Sequence, residues 1–293
     1  MGHKSGFVNI VGNPNVGKST IMNALVGEKL SIITSKAQTT RHRIMGVVNS
    51  PDFQIVYSDT PGILKPAYKL QESMMRFVHS AFEDADVVLY VTDTVESPTY
   101  SDEYVAKLCK LEIPVILVIN KLDLTKQEEV EYLTELWSKK MPNASIIPVS
   151  ALHNFNLDQL LKQIVEKLPE GPEYFPKETL TDKTLRFFAS EIIREKILLN
   201  YQKEIPYSVE VVVEEYTEDK TMDKVRAIIY VARDSQKGII IGHQGKMLKK
   251  VGTEARIDME EFLGKKIFLE LYVKVDTEWR NDDKKLKKFG YIQ

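Results

Sequence analysis

The chain has 293 residues and a single cysteine, Cys109, so it cannot form an internal disulfide. That suits a reducing compartment such as the cytoplasm. Cys109 lies in a helix-like run, where its expected role is that of a small buried apolar residue. No apolar stretch approaches the roughly 20 residues a membrane-spanning helix needs. Met1–Gly6 has no apolar core, so no secretory signal is expected there. Neither sign of charge dominates: the net charge is −2. Residues 1–175 carry 17 Lys and Arg against 21 Asp and Glu, and the remainder 23 against 21. Bulk electrostatic attraction to nucleic acid is therefore excluded, and any such site must be a local patch. There is no internal repeat, no low-complexity tract and no cluster with metal-ligand spacing.

What is present is length enough for two cores. In the first half, apolar runs at Phe7–Val11, Phe53–Tyr57, Val87–Val91, Val115–Ile119 and Ile146–Val149 read as strands. Val87–Val91 and Val115–Ile119 are unbroken, as expected for strands covered on both faces. Helical patterns near 19–27, 70–84, 99–110, 126–139 and 156–168 lie between them, which predicts an α/β domain with a mostly parallel sheet and flanking helices. Ligands in such sheets bind at the carboxyl ends of the strands. From Pro169 to Pro176, three prolines and a glycine in eight residues read as a semi-rigid linker. The expected division is a first domain at 1–170, a linker at 171–179 and a second domain at 180–293. That second domain reads as α+β. Residues 182–200 are helical, Val209–Val213 and Val225–Ala232 are strands, Leu248–Phe262 is an amphipathic helix, and Ile267–Val275 is a strand.

Each motif of the first half follows a strand end. Gly12, Asn13, Pro14, Asn15, Val16, Gly17, Lys18 and Ser19 have the full GxxxxGKS spacing between a strand and a helix. The glycines let backbone N–H groups curl around phosphates, and Lys18 reaches the β- and γ-phosphates. Ser19 offers a hydroxyl to Mg²⁺, and Thr20 opens the helix whose positive end faces the anion. Asp59-Thr60-Pro61-Gly62 follows the second strand. Asp59 is placed to hold Mg²⁺ through its shell, and the Gly62 N–H to meet the γ-phosphate. Thr39 or Thr40, in the polar stretch Ser35–Arg43, would complete the metal shell, with Thr40 favoured. Asn120-Lys121-Leu122-Asp123 ends another strand. The Asp123 carboxylate can accept from guanine N1–H and the N2 amino group, with Lys121 across the base. Adenine offers neither donor, so such a site can discriminate by roughly 10⁴–10⁵. Ser150-Ala151-Leu152 follows the last strand, with the Ala151 N–H aimed at guanine O6. The set points to GTP or GDP.

In the second half, Gly242-His243-Gln244-Gly245 stands between a strand and a helix. Two glycines around two polar residues let a sugar-phosphate backbone approach a helix N-terminus. This is the GXXG loop of a KH domain, which clamps about four nucleotides. Ile239–Ile241 are expected to line the groove, with Lys237, Lys246, Lys249 and Lys250 supplying positive charge. Candidate RNA contacts are thus Lys237, Ile241, Gly242, His243, Gln244, Gly245, Lys246, Lys249 and Lys250. Lys284, Lys285, Lys287 and Lys288 read as a solvated basic segment.

Over residues 6–168 the ordered motifs resemble the translation-factor-related class of small GTPases. Ile63 stands where many of these have a water-orienting glutamine. Asn15 matches the asparagine that related GTPases use to bind K⁺ beside the phosphates, which implies K⁺-stimulated hydrolysis with Lys18, Asn15, Thr40, Asp59 and Gly62 in the catalytic set. Adding the linker, the strand-first KH pattern and Gln38-Thr39-Thr40-Arg41, the whole chain resembles the Era family of bacterial GTPases. The resemblance implies a Mg²⁺-dependent GTPase that binds the 3′ end of 16S ribosomal RNA and assists 16S processing and assembly of the small (30S) ribosomal subunit. It also implies a monomer in the cytoplasm, with a peripheral link to the inner membrane for which the residues carry no lipid signal. The alternative is a KH-type RNA-binding adaptor with a largely structural nucleotide, against which the complete Lys18, Ser19 and Asp59 argue.

Overall fold

The computed structural model describes residues 2–97 and 102–292 and divides the chain into two compact units. The first comprises Met1–Ile33, Thr40–Pro66 and Met74–Asp182. Its strands are β1 (Lys4–Gly12), β2 (Ile44–Asn49), β3 (Phe53–Asp59), β4 (Val87–Asp93), β5 (Val115–Asn120) and β6 (Ser145–Pro148). They lie in the order β2-β3-β1-β4-β5-β6, with β2 antiparallel to β3 and every other pair parallel. Every residue of β4 and β5 is buried, as their unbroken apolar runs demand of strands with helices on both faces. The helices are α1 (Lys18–Val26), α2 (Lys69–Glu83), α3 (Asp102–Leu108), α4 (Gln127–Lys140) and α5 (Leu157–Lys167). The start of the helix expected at 99–110 lies outside the described residues. Cys109, just past α3, is exposed rather than buried; the inward positions of that helix are Val105 and Leu108.

Strand β2 is absent from the sequence-based reading. It is a short edge strand that pairs with β3 across the Asn49–Phe53 turn, and its other edge is covered by residues 177–182, the end of the expected linker and the start of the expected second domain. Residues 169–182 belong to the first unit and run along it as a strap. The Val47 N–H donates to Leu180 O (2.8 Å), and the Thr181 hydroxyl to Met45 O (2.6 Å). Fully buried Gln54 holds the strap's middle. Its Oε1 accepts from the Tyr174 and Phe175 N–H groups at 2.7 and 2.9 Å, and its Nε2 donates to Phe175 O and Asn49 Oδ1, both at 2.7 Å. All four hydrogen-bonding positions of the amide are used. The strap closes an edge that would otherwise template pairing with another chain.

The second unit comprises Lys183–Gln293 with two short segments from earlier in the chain, Thr34–Thr39 and Ala67–Ser73. It contains α6 (Leu185–Asn200), β7 (Val209–Thr217), β8 (Met222–Val231), α7 (Asp234–Ile241), α8 (Lys246–Leu263), β9 (Lys266–Val275) and α9 (Asp283–Lys288). The sheet order is β7-β8-β9, with β8 antiparallel to β7 and parallel to β9. The Thr184 hydroxyl caps α6 by accepting from the Phe187 N–H. Ile193 and Ile197 of α6 and Val251, Ala255 and Met259 of α8 pack on Val211, Val225 and Ile229 of the sheet. The segment Thr34–Thr39 is held by charge. Lys36 Nζ donates to the carbonyls of Leu198 and Tyr201 at the end of α6, a favourable place for a cation. The buried Arg194 guanidinium donates to the carbonyls of Gln38 and Thr39 and is fork-paired with Glu191 at 2.7 and 2.6 Å.

Helix α7 is likewise absent from the sequence-based reading. Gly238 and three successive isoleucines are weak helix formers, so local propensity hides it. Packing decides instead: Ile240 is fully buried, while Ile239 faces solvent.

Gln54→Ala should cost about 2–3 kcal/mol of unfolding free energy, because it removes four hydrogen bonds to the strap and to Asn49 and opens space at a fully buried position. Urea denaturation measures the loss, and protease cleavage within 172–180 should speed up in parallel.

Candidate nucleotide site and nucleic-acid interface

Between β1 and α1 the chain turns through backbone conformations that few side chains tolerate. Gly12 and Gly17 have φ of 149° and 97°. A Cβ on Gly12 would lie 2.2 Å from Val91 O, and one on Gly17 would lie 2.1 Å from Asn120 Nδ2. Asn15 is exposed and also has positive φ, 66°. Val16 is buried and Thr20 sits in the first turn of α1. Lys18 is buried, with Nζ donating to Gly12 O (3.1 Å) and Asn13 O (2.7 Å). Burial lowers its pKa to about 8, against the opposing pull of Asp59 and Glu96. A buried ammonium at the mouth of a loop with this curl is suited to receiving an anion.

Three oxygens from distant parts of the sequence meet beside it. Ser19 Oγ lies 2.9 Å from Thr40 Oγ1 and 2.6 Å from Asp59 Oδ2, and Thr40 Oγ1 lies 3.3 Å from the same carboxylate oxygen. Asp59 Oδ1 is buried without a hydrogen-bond partner. Burial raises the Asp59 pKa, opposed first by Lys18. Hard oxygens and an unsatisfied buried carboxylate oxygen fit a small divalent cation. Thr39 is placed elsewhere: its hydroxyl contacts Thr34 Oγ1 and Lys36 O, both at 2.6 Å. Gly62 abuts the phosphate loop, since a Cβ there would lie 2.7 Å from Pro14. Ile63 is buried, and its N–H donates to Gly12 O (3.1 Å).

The base loop is joined to the phosphate loop through Asn120. Its Nδ2 donates to Val16 O (2.9 Å), and its Oδ1 accepts from the Ala151 N–H (3.0 Å). That N–H, expected to meet guanine O6, is therefore already engaged by Asn120. The Asp123 carboxylate accepts from Ser150 Oγ at 2.5 Å, which holds its pKa below the ordinary carboxylate value. Lys121 has φ 64° and pairs with Asp93 at 2.5 Å. Leu152 is exposed.

In the second unit, α7 ends at Gly242 (φ 71°, ψ 175°), and Gly245 (φ 74°) caps the start of α8. A Cβ on Gly242 would lie 2.7 Å from Met247 Cβ. Between them His243 and Gln244 are both exposed, with Gln244 left-handed at φ 51°. Lys249 and Lys250 project into solvent from the first turns of α8, where Lys246 also lies, and Lys237 sits on α7. A cleft of about 380 Å³ opens beside the loop, lined by Gly245, Leu248, Lys249, Gly252, Thr253, Arg256, Leu269 and Leu271. Of Ile239–Ile241, expected to line the RNA groove, Ile240 alone is fully buried and withdrawn from any surface. The apolar lining comes from α8 and β9, and Ile239–Ile241 form the last turn of α7, with Ile241 beside the loop. Gly252, Arg256, Leu269 and Leu271 lie outside the sequence-based candidates. Their signal is present in the small residue and the base on the helix, and in the alternate leucines of the strand.

Two family models match the chain: "50S ribosome-binding GTPase" at residues 7–121 and "KH domain" at 204–280. The chain is 45% identical to GTPase Era of Staphylococcus haemolyticus over 293 residues, covering 99% of this chain and 98% of that one. The chain belongs to the Era family. Similarity extends to plants, with 44% identity to the chloroplastic GTPase ERA1 of Zea mays over 99% of this chain and 71% of that one. Two Era crystal structures match with a TM-score of 0.95. One is a complex with MgGDPNP and nucleotides 1506–1542 of 16S ribosomal RNA, at 42% identity, covering 99% of this chain and all of that one. The other is a point variant of Aquifex aeolicus Era bound to GDP·AlF4⁻, at 41% identity with the same coverage. As an Era-family protein, the chain is a GTPase: a P-loop domain followed by an RNA-binding KH domain.

Gly17→Ala in this Era-family chain should separate the phosphate loop from Asn120. The left-handed backbone and the 2.1 Å clash together predict a loss of about 2–4 kcal/mol, read by denaturant unfolding.

Proposed function

We propose that this chain binds and hydrolyses GTP with Mg²⁺ and K⁺, and uses its KH unit to hold the 3′ end of 16S ribosomal RNA during small-subunit assembly. The observation that carries the enzymatic half is the meeting of Ser19, Thr40 and Asp59 beside buried Lys18. The phosphate-loop N–H groups and Lys18 bind the phosphates, Asn13, Val16, Gly17 and Thr20 shape that cradle, and Ser19, Thr40 and Asp59 hold Mg²⁺. When bound, Mg²⁺ neutralises charge on the β- and γ-phosphate oxygens. Asp123, positioned by Ser150, reads the guanine edge; Lys121 covers the base, and Ala151 and Leu152 border it. Gly62 offers its N–H to the γ-phosphate. Ile63 cannot orient water and its side chain is buried, so transition-state charge must be met otherwise. Asn15, exposed on the loop in a left-handed conformation, is suited to hold K⁺ there.

For the RNA half, support comes from the GXXG turn, the partly apolar cleft beside it and the basic side chains around it. Gly242–Gly245 let the sugar-phosphate backbone approach the N-terminus of α8, and Lys246, Lys249 and Arg256 offset its charge. Era in complex with 16S nucleotides 1506–1542 supports the choice of RNA.

Single-turnover GTP hydrolysis should be several-fold faster in K⁺ than in Na⁺, and equal rates would remove Asn15 from the catalytic set. Adding a short RNA from the 3′ end of 16S rRNA should accelerate it further, and no change with binding confirmed would make the RNA an anchor only. Gly242→Asp should weaken RNA binding at least tenfold by fluorescence anisotropy, through the Met247 clash and the added charge. Undiminished affinity would move the RNA site away from the GXXG loop.

A further inference from the structure

The end of β4 carries no nucleotide motif, yet it lies between the two loops that do. In the sheet Asp93 pairs with Asn120, the first residue of the base loop, and Val91 with Gly12, the first of the phosphate loop. The Asp93 carboxylate is almost fully buried and is used at both oxygens. Oδ1 accepts from the N–H groups of Val95 and Glu96 at 2.9 and 2.8 Å, which folds the chain into a tight turn. Oδ2 meets the Lys121 ammonium at 2.5 Å. The turn delivers two further contacts. The Thr94 hydroxyl donates to Lys121 O (3.1 Å), so both the side chain and the main chain of this left-handed lysine are restrained. The Glu96 carboxylate accepts from Thr92 Oγ1 (2.6 Å) and from Asn13 Nδ2 of the phosphate loop (2.8 Å).

We propose that Asp93 is a positioning residue for guanine nucleotide. It holds the Lys121 ammonium so that the lysine stem is pre-set against the base, and the turn it folds ties that loop to Asn13 through Glu96. The inference rests on the reading of Asn120–Asp123 as the guanine loop. A flexible lysine gives up rotamer freedom when it is laid across a ligand, and a fixed carboxylate removes that loss before binding. The effect therefore falls on how long the nucleotide stays.

Release of a fluorescent GDP analogue in Mg²⁺ buffer, chased with unlabelled GDP, tests this. Asp93→Asn keeps an oxygen for the turn but turns an amide toward Lys121, and is expected to speed release about tenfold. In a Lys121→Ala background the same substitution should change release less than about twofold, because Asp93 acts through that lysine. Lys121→Met keeps the stem without the charge and should release as fast as Asp93→Asn; it also serves if Asp93→Asn is too unstable to assay. Release at the wild-type rate in Asp93→Asn or Lys121→Met, or equal acceleration with and without Lys121, overturns the proposal. Competition of GDP and ADP for the wild-type protein tests the parent reading separately: no preference for GDP would refute the guanine loop whatever Asp93 does.

Discussion

The side chain of Asn120 is the contact on which the nucleotide site depends. It is buried, its amide donates to the phosphate loop at Val16, and its carbonyl accepts from the third loop at Ala151. One side chain thus sets the spacing of loops that start more than a hundred residues apart in sequence. The approach is so close that position 17 has room only for hydrogen. A buried amide with each end engaged is favourable, whereas one left half-paired costs more than an apolar residue. Asn120 therefore works as a gauge: the loops either meet it together or the site loses its shape.

Around that gauge the site concentrates polar groups that ordinary cores avoid. Lys18 and Asp59 are both buried, and each has its pKa moved toward neutrality by loss of water. Such groups are tolerated because they face each other and a triad of hydroxyl and carboxylate oxygens, and because a cation and an anion can complete the balance. Asp93 and Glu96 add a second, acidic layer that restrains the loops from behind.

The KH unit solves a different problem. Its cleft has a partly apolar floor beside a turn of two positive-φ glycines. The floor comes from Leu248 of α8 and from Leu269 and Leu271 of β9. The glycines are Gly242 and Gly245. The same unit takes in the short segment Thr34–Thr39, held by Lys36 and Arg194, while its immediate neighbour Thr40 belongs with Ser19 and Asp59 in the other unit.

The sequence by itself determined the elements and loops whose requirements are local. Glycines at fixed spacing, continuous apolar strands, and a carboxylate two residues after Lys121 are read from neighbours in the chain, because backbone curl and burial on both faces leave their mark within a few residues. What only the tertiary structure decided were partners and edges. Thr39 and Thr40 are chemically alike, and their separation follows from what each meets across the fold. Strand β2 and the 169–182 strap were illegible because each is defined by the other, as edge and cover. Helix α7 runs against the propensity of its isoleucines and forms because Ile240 has a core to enter. The roles of Asp93 and Glu96 could not be read either, since Glu96 finds Asn13 from 83 residues away. Short-range sterics are written into the order of residues, whereas a hydrogen bond between distant residues exists only once the chain has folded.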